Sequence, residues 1–372
     1  MERGRVLSGL KRVAVKVGSR VLTSPENGLD MELIGRLVDD IAYLHNRDLQ
    51  VLLISSGAII AGLKDLRIGA RPVNLPLKQA AAAVGQVKLV NSYALFFQKY
   101  SIPTAQILLT RDDLQTRLRY LNARNTLLRL LDKGAIPIIN ENDTVAVEEI
   151  KFGDNDTLAA LVALMMDVDM LIILTDIDGL YTDIPAKTKG AEMISYVEKI
   201  THSVERIATS KGSGEGGMET KIKSAKMVTE SGIPAVIANG RKSRILRRII
   251  SGEDVGTFFF SQQQKRRERK CWIAFTLKPK GEIVVDRGAE DALKEKGKSL
   301  LPSGVVSVRG KFHAGDAVSI LDEIHKEFAR GLSNYSHEEI AMIKGLKSSE
   351  IKDVLGYKGY DEVIHRDNLV IL

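Results

Sequence analysis

The sequence predicts an α/β fold, a sandwich of helices around a mainly parallel sheet, with a smaller β-rich domain behind it. Three observations carry that reading. Short β-branched runs recur through roughly the first 255 residues and are apolar throughout rather than alternating, as strands buried on both faces are. Segments of helical character separate one run from the next, and such alternation is the pattern of a parallel sheet wound with helices. After about residue 257 the texture changes to short alternating pieces broken by turn residues.

The candidate strands, in order, are "RVAVKVG" (12–18), "QVLLIS" (50–55), "TAQILLT" (104–110), "AIPIIN" (135–140), "MLIILTD" (170–176) and "PAVIAN" (234–239). The candidate helices between them are "DMELIGRLVDDIAYLHNR", "LKQAAAAVGQVKLVNSYALFFQKY" and "TKIKSAKMVTESG", the last ending in a Gly-then-Pro stop. Around the start of that last helix, Met218, Ile222 and Ala225 share one face. "SQQQKRRERK" (261–270) sets five basic side chains against one glutamate and reads as a solvated linker or a recognition strip. "CWIAFTLKPKGEIVVDRGA", "SLLPSGVVSVRGKFHAGDAVSIL" and "EFARGLSNYS" then read as a small β-barrel-like domain, with Cys271 and Trp272 in its core. A chain of 372 residues is too long for one ordinary core. The expected division is 1–257 for a catalytic domain, 258–270 for a basic linker and 271–372 for the small domain and tail.

Composition excludes several classes. With 44% hydrophobic and 27% charged residues the chain is of ordinary soluble type. No apolar run approaches the roughly 18–20 residues of a membrane span, and "MERGRVLSGLKR" lacks the apolar core of a signal peptide, so a cytoplasmic protein without membrane association is expected. One cysteine rules out an internal disulfide, and six scattered histidines form no ligand spacing, which argues against a metal held by His or Cys. The net charge of +7 suits nucleic acid or a polyanionic small molecule such as a nucleotide, without choosing between them.

In a parallel sheet the ligand sits beyond the carboxyl ends of the strands, and there the polar residues gather. The first strand ends in Lys16, Gly18 and Ser19, the second in "SSGA" (55–58), the fourth in "NEND" (140–143) and the fifth in "TDIDGLYTD" from Thr175. The glycine-rich "SKGSGEGGMETK" (210–221) lets backbone N–H groups approach a phosphate. It fits neither standard phosphate loop: the dinucleotide fingerprint should follow a buried strand, and Met218 and Glu219 stand where a Walker A loop needs Lys and Ser/Thr. Taken alone it also admits reading as a flexible surface loop. Lys221, however, falls in the first turn of the helix that follows, where free N–H groups and the dipole favour an anion, and Lys16 can reach the same rim. Two lysines and a helix N-terminus around one cleft imply a phosphate chain in transfer.

The segments "VAVKVGS", "ISSGAIIAG", "AAVGQ", "LLTRDD", "LNARNTL", "PIINENDTVAVEEIKFGDNDTLAALVA", "LTDIDGLYT" and "GEGGMETKIKSA" together closely resemble the glutamate 5-kinases of the amino-acid kinase family. The C-terminal part is similar to the PUA domain that many bacterial members carry, and the resemblance runs from about residue 10 to the C-terminus. It implies a three-layer αβα sandwich and transfer of the γ-phosphoryl group of ATP, with Mg²⁺, to the side-chain carboxylate of L-glutamate, the first step of proline synthesis. By motif, Lys16 and Lys221 would contact the phosphates and Asp156 would hold both lysines. Gly18, Ser19, Thr175, Asp176, Gly216, Gly217 and Met218 would line the nucleotide. Ser56, Gly57, Ala58, Asp143 and Asn155 would hold glutamate, with Asp143 on its α-ammonium. The direct ligands of Mg²⁺ stay open, though the "NEND" and "GDND" clusters can support a hydrated ion. Feedback inhibition by proline, assembly into dimers or tetramers and handover to the glutamyl-phosphate reductase are also implied.

Simpler roles exist beside these. Asp154, Asn155 and Asp156 are well suited to capping a helix, and Asp178 and Gly179 to a hairpin turn. Two departures from the family pattern stand out: Glu215 where a threonine is usual, and "YTDIPAK" (181–187) in place of the usual Asp-Pro-Arg. The competing readings are a kinase of the same fold acting on acetylglutamate, aspartate, carbamate or UMP, and RNA binding through the PUA domain. Against RNA, the basic strip lacks interleaved aromatics for base stacking.

Overall fold

The computed structural model describes residues 3, 7, 9–23, 28–68, 74–145, 155–183, 190–209, 217–261 and 268–372. They form two compact units, Met1–Lys265 and Arg266–Leu372. The first is built on an eight-stranded sheet. Its strands are β1 (Arg12–Val17), β2 (Gln50–Ser55), β3 (Thr104–Leu109), β4 (Ile136–Glu141), β5 (Met170–Thr175), β6 (Tyr196–Val197), β7 (Ala235–Asn239) and β8 (Thr257–Phe259). They lie in the order β3-β4-β2-β1-β5-β7-β8-β6. Every neighbouring pair runs parallel except β7 and β8. All six apolar runs of the sequence are strands; β6 and β8 are added beyond them.

The central strands are apolar without a break because both faces are covered. On β1, the period of two sends Val13, Val15 and Val17 into a core with Leu33, Ile34, Leu37 and Ile41 of the helix Met31–His45. Ala14 and Lys16 therefore point to the opposite face, where the helix Asn155–Met165 packs against β1 and against the helix Met218–Glu230. Side-chain alternation along one short strand thus fixes which helices a lysine can meet. The helices start where sequence chemistry says they should. Asp30 accepts from the Leu33 N–H at 3.0 Å, and Asn74 accepts from the Leu77 N–H at 3.0 Å with Pro76 in the first turn of Leu75–Phe97.

Two further glycines explain "SSGAIIAG" and "AAVGQ". The helix Ala58–Asp65 follows directly on β2, and Leu75–Phe97 crosses it with backbone against backbone. A Cβ on Gly85 would lie 1.8 Å from the Ala58 carbonyl oxygen, and one on Gly62 would lie 1.9 Å from that of Ala81. Gly85→Ala must push the two helices apart, and overpacking of this kind costs about 1–3 kcal/mol. We expect thermal unfolding of that variant several degrees below the unsubstituted protein; an unchanged Tm would mean that the crossing can open freely.

The second unit holds a five-stranded sheet of β9 (Gly281–Val285), β10 (Val305–Gly310), β11 (Ala317–Leu321), β12 (Glu327–Leu332) and β13 (Leu369–Ile371), in the order β10-β9-β11-β12-β13. Its core gathers Ile283, Val285, Val318, Ile320, Phe312 and Tyr335. Cys271 and Trp272 are buried within this unit. Among the described residues, no helix is long and apolar enough to cross a membrane.

Candidate active site

The carboxyl ends of β1, β2, β4 and β5 open on one cleft of about 160 Å³. Register brings them level: Lys16 lies opposite Ile54 and Ile173, and Val17 opposite Ser55 and Leu174. The chain leaving β1 is tied down by the Gly18 N–H, which donates to the Leu174 carbonyl at 3.0 Å, and the chain leaving β2 by the Ser56 N–H, which donates to Val17 at 3.1 Å. Gly57 then adopts φ of +105° to turn the chain into the helix Ala58–Asp65, a conformation that costs other residues about 1–2 kcal/mol.

Of the residues expected from the sequence, Lys16, Gly18, Ser19, Ser56, Gly57, Ala58, Asp143, Asn155, Thr175, Asp176 and Lys221 line this cleft. Asp156 lies beneath its surface, fully buried. Gly217 and Met218 stand at the head of the helix carrying Lys221 and are not part of the lining. Gly216, with Asp154, Glu215, most of the glycine-rich stretch, 184–187 of "YTDIPAK" and 262–267 of the basic strip, lies outside the described residues.

The floor is a charge cluster. Lys16 Nζ sits 2.5 Å from Asp156 Oδ1, and Lys221 Nζ sits 3.0 Å from Asp156 Oδ2. The second carboxylate oxygen also accepts from the Thr220 hydroxyl at 3.1 Å. Lys16 and Lys221 are only 3% and 4% exposed, so both long side chains are held rather than waving in solvent. Burial by itself would push the Asp156 carboxyl up; the two lysines outweigh it and hold the group below the usual carboxylate range. Asp156 and Lys221 each belong to the first turn of their own helix, and Asp156 gains there from the helix dipole.

The other wall is an amide relay. The Asn155 Nδ2 donates to Ser56 Oγ and to Asn140 Oδ1, each at 2.9 Å. The Asn140 Nδ2 in turn donates to Gln86 Oε1 at 2.8 Å. Asn155 Oδ1 is buried and, among the described residues, is an acceptor without a donor. A buried acceptor of that kind needs a donor, and a molecule bound in the cleft is placed to supply one.

Thr220 and Gln86 were not singled out from the sequence, and Asn140 was marked only as part of "NEND" at the end of its strand. Gln86 left one readable trace: with Leu89 and Tyr93 it follows a 3–4 spacing, and all three are buried, so a polar residue stands on the apolar stripe of its helix. At the end of β5, Thr175 donates to Asp176 at 3.1 Å, and exposed Arg20 approaches the Asp176 carboxylate at 3.6 Å. Asp178 does more than turn the chain: it accepts from Asn239 at 2.9 Å and pairs with Lys242 at 2.9 Å, joining the ends of β5 and β7.

A parallel sheet with two buried lysines and a helix N-terminus at its carboxyl edge defines a phosphoryl-transfer enzyme of the α/β class. The chain belongs to the amino acid kinase family, whose model matches residues 11–239; a PUA domain model matches residues 281–355. Within that family its similarity is to glutamate 5-kinases. The one from Caldanaerobacter subterraneus subsp. tengcongensis is 52% identical over 363 residues, 97% of this chain and 98% of that protein. The one from Geobacter sulfurreducens is 50% identical over 372 residues, covering all of both chains. That from Pelobacter propionicus is 48% identical over 372 residues, again end to end.

Proposed function

We propose that the protein transfers the γ-phosphoryl group of ATP to the side-chain carboxylate of L-glutamate, giving L-glutamyl 5-phosphate. The observation that carries this reading is the pairing, in one cleft, of two buried lysines sharing the Asp156 carboxylate with a wall that includes Ser56, Asp143 and Asn155. The acceptor carboxylate, with a pKa of about 4.3, is already ionised at neutral pH and needs no general base. A carboxylate oxygen forms its bond to the γ-phosphorus as the bond to the bridging oxygen breaks, and ADP leaves with that electron pair. Lys16 and Lys221 balance the charge that spreads over the transferred group, and Asp156 keeps the two ammonium groups from drifting.

Gly18, Ser19, Thr175, Asp176, Gly217 and Met218 belong to the nucleotide side in this reading, with Gly216 beside them in sequence. Ser56, Gly57 and Ala58 hold the substrate's α-carboxylate end, while Asp143 and the Asn155 Oδ1 receive its α-ammonium. Among the described residues, no three His, Cys, Asp or Glu side chains form a metal cage. The hard oxygens of Glu141 and Asp176 in the lining suit Mg²⁺, which takes one or two carboxylates and otherwise rides on phosphate. These residues would hold the ion, which when bound offsets phosphate charge. A cytoplasmic place in proline synthesis, inhibition by proline at the glutamate pocket, a dimer or tetramer and handover of the labile product to a reductase belong to the same proposal. So does the division into a kinase domain to 257, a linker to 270 and a PUA domain beyond; we assign that domain an architectural or regulatory role ahead of RNA binding.

The test is ATP- and Mg²⁺-dependent formation of the γ-hydroxamate from glutamate and hydroxylamine, with acetylglutamate, aspartate and UMP followed in parallel by ADP release. We expect signal with glutamate alone. Turnover of another acceptor with silence on glutamate would keep the fold and discard the substrate.

A further inference from the structure

We infer that Gln86 is a positioning residue for the acceptor pocket, holding in place the direction of the amide relay that ends at Asn155. The inference rests on the glutamate reading of that pocket and concerns a residue that does not line it.

The argument starts from a backbone group that cannot reverse its role. The Glu141 N–H donates to Asn140 Oδ1 at 2.9 Å, and a backbone N–H can only donate. Asn140 must therefore keep Oδ1 toward Glu141 and turn Nδ2 the other way, where Gln86 Oε1 receives it at 2.8 Å. With Asn140 Oδ1 thus placed, Asn155 has to offer it Nδ2, which also reaches Ser56 Oγ. The only end of Asn155 then left for a substrate is the acceptor, Oδ1. Every polarity in the chain follows from one peptide group, provided something accepts the outward Nδ2 of Asn140.

Gln86 is that acceptor. Asn140 is 2% exposed and Gln86 8% exposed, so water is a poor substitute there. Gln86 is also fixed along its helix, because its neighbour Gly85 lies with its backbone against the carbonyl of Ala58, the first residue after the Ser56-Gly57 turn. The same contact that seats the helix on the substrate loop sets the reach of the amide. Without the acceptor, the Asn140 side chain has reason to rotate, Asn155 loses its reason to face Nδ2 inward, and the acceptor offered to an α-ammonium becomes a mixture of acceptor and donor.

Gln86→Leu removes the acceptor at similar volume, Gln86→Glu keeps an acceptor at the same reach, and Gln86→Asn withdraws it by one methylene. Misdirecting the Asn155 acceptor forfeits a hydrogen bond from a charged α-ammonium, about 1.5–3 kcal/mol or roughly 10- to 150-fold. We expect Gln86→Leu to raise the KM for glutamate by about tenfold or more, with kcat and the KM for ATP changed less than about threefold, the signature of lost uniform binding. Gln86→Glu is expected to restore most of the glutamate KM. Should Gln86→Leu fail to fold, the contrast between Gln86→Asn and Gln86→Glu reads the same quantity. A glutamate KM that stays within twofold in the folded Leu or Asn variant overturns the inference. So does a parallel loss of glutamate affinity and ATP affinity, which would make Gln86 a packing residue only. Absence of glutamate turnover by the unsubstituted protein would sink the proposed function and this inference with it; normal turnover with an unmoved KM would sink the relay alone.

Discussion

Asp156→Asn should be the most damaging single-atom change in the molecule, lowering Tm by roughly 10 °C and kcat by more than about a hundredfold. An asparagine offers one acceptor oxygen where the carboxylate gives one to Lys16 and one to Lys221. One of the two buried ammonium groups must then face an NH₂. Removing one partner from a buried charge cluster costs about 3–5 kcal/mol, and a domain of this size loses about 2–4 °C for each of them. The pH dependence has a definite sign. Burial raises the Asp156 carboxyl, but Lys16 and Lys221 bring it below its ordinary value, so its contribution to stability is fully present above the unfolded pKa of about 3.9 and is lost as pH falls through the lower folded value. The unsubstituted protein keeps this contribution through neutral and mildly acid pH and gives it up only below about pH 4, whereas the variant lacks it at every pH. Differential scanning calorimetry across that range reads both effects. A variant within 2 °C of the parent at pH 7, with kcat intact, would remove Asp156 from the machinery.

Lys221→Met is expected to cut kcat by about 10²–10³ while leaving the KM for glutamate within about threefold. Methionine replaces the stem of the lysine in a pocket that leaves it 4% exposed, and Lys16 keeps its bond to Asp156, so the fold should tolerate the change. What is lost is a positive charge at the place where charge develops during transfer, and single preorganised groups of that kind are worth about 10²–10³ in rate. An interaction made mainly in the transition state leaves ground-state binding alone. Steady-state kinetics with glutamate varied at saturating ATP makes the measurement. A near-normal kcat would assign Lys221 to structure and leave Lys16 as the phosphate ligand of the site. Arginine is not a neutral control here, since its fork cannot reproduce a point charge in the same space.

Much of this was legible before any coordinates. Six continuously apolar runs named six strands because strands covered on both faces need no polar alternate residues. The polar residues at their carboxyl ends then marked the cleft, and Lys16, Asp156 and Lys221 meet there. What stayed hidden had physical reasons. β6 and β8 are two and three residues long, too short to show a period. The helix His202–Thr209 buries only Ala208, so "THSVERIATSK" read as merely polar. The relay through Asn140 and Gln86 depends on two polar side chains within buried surroundings, and periodicity reports apolar positions; which amide faces which is decided by a peptide group that no residue type reveals.

The placement of β1 between β2 and β5 sets the timetable of the chain on the ribosome. Lys16 is made among the first residues, but its strand gains its second neighbour only when β5 has emerged, and its lysine partner comes later still, in the helix Met218–Glu230. At about 5–20 residues per second, a nascent chain spends tens of seconds with a half-covered central strand and an unfinished phosphate site. Long-range closure of this sort slows folding and exposes β1 to mispairing while it waits. The residues of the cleft are thus complete only once the helix Met218–Glu230 has been made, after β5 and before β7 and β8.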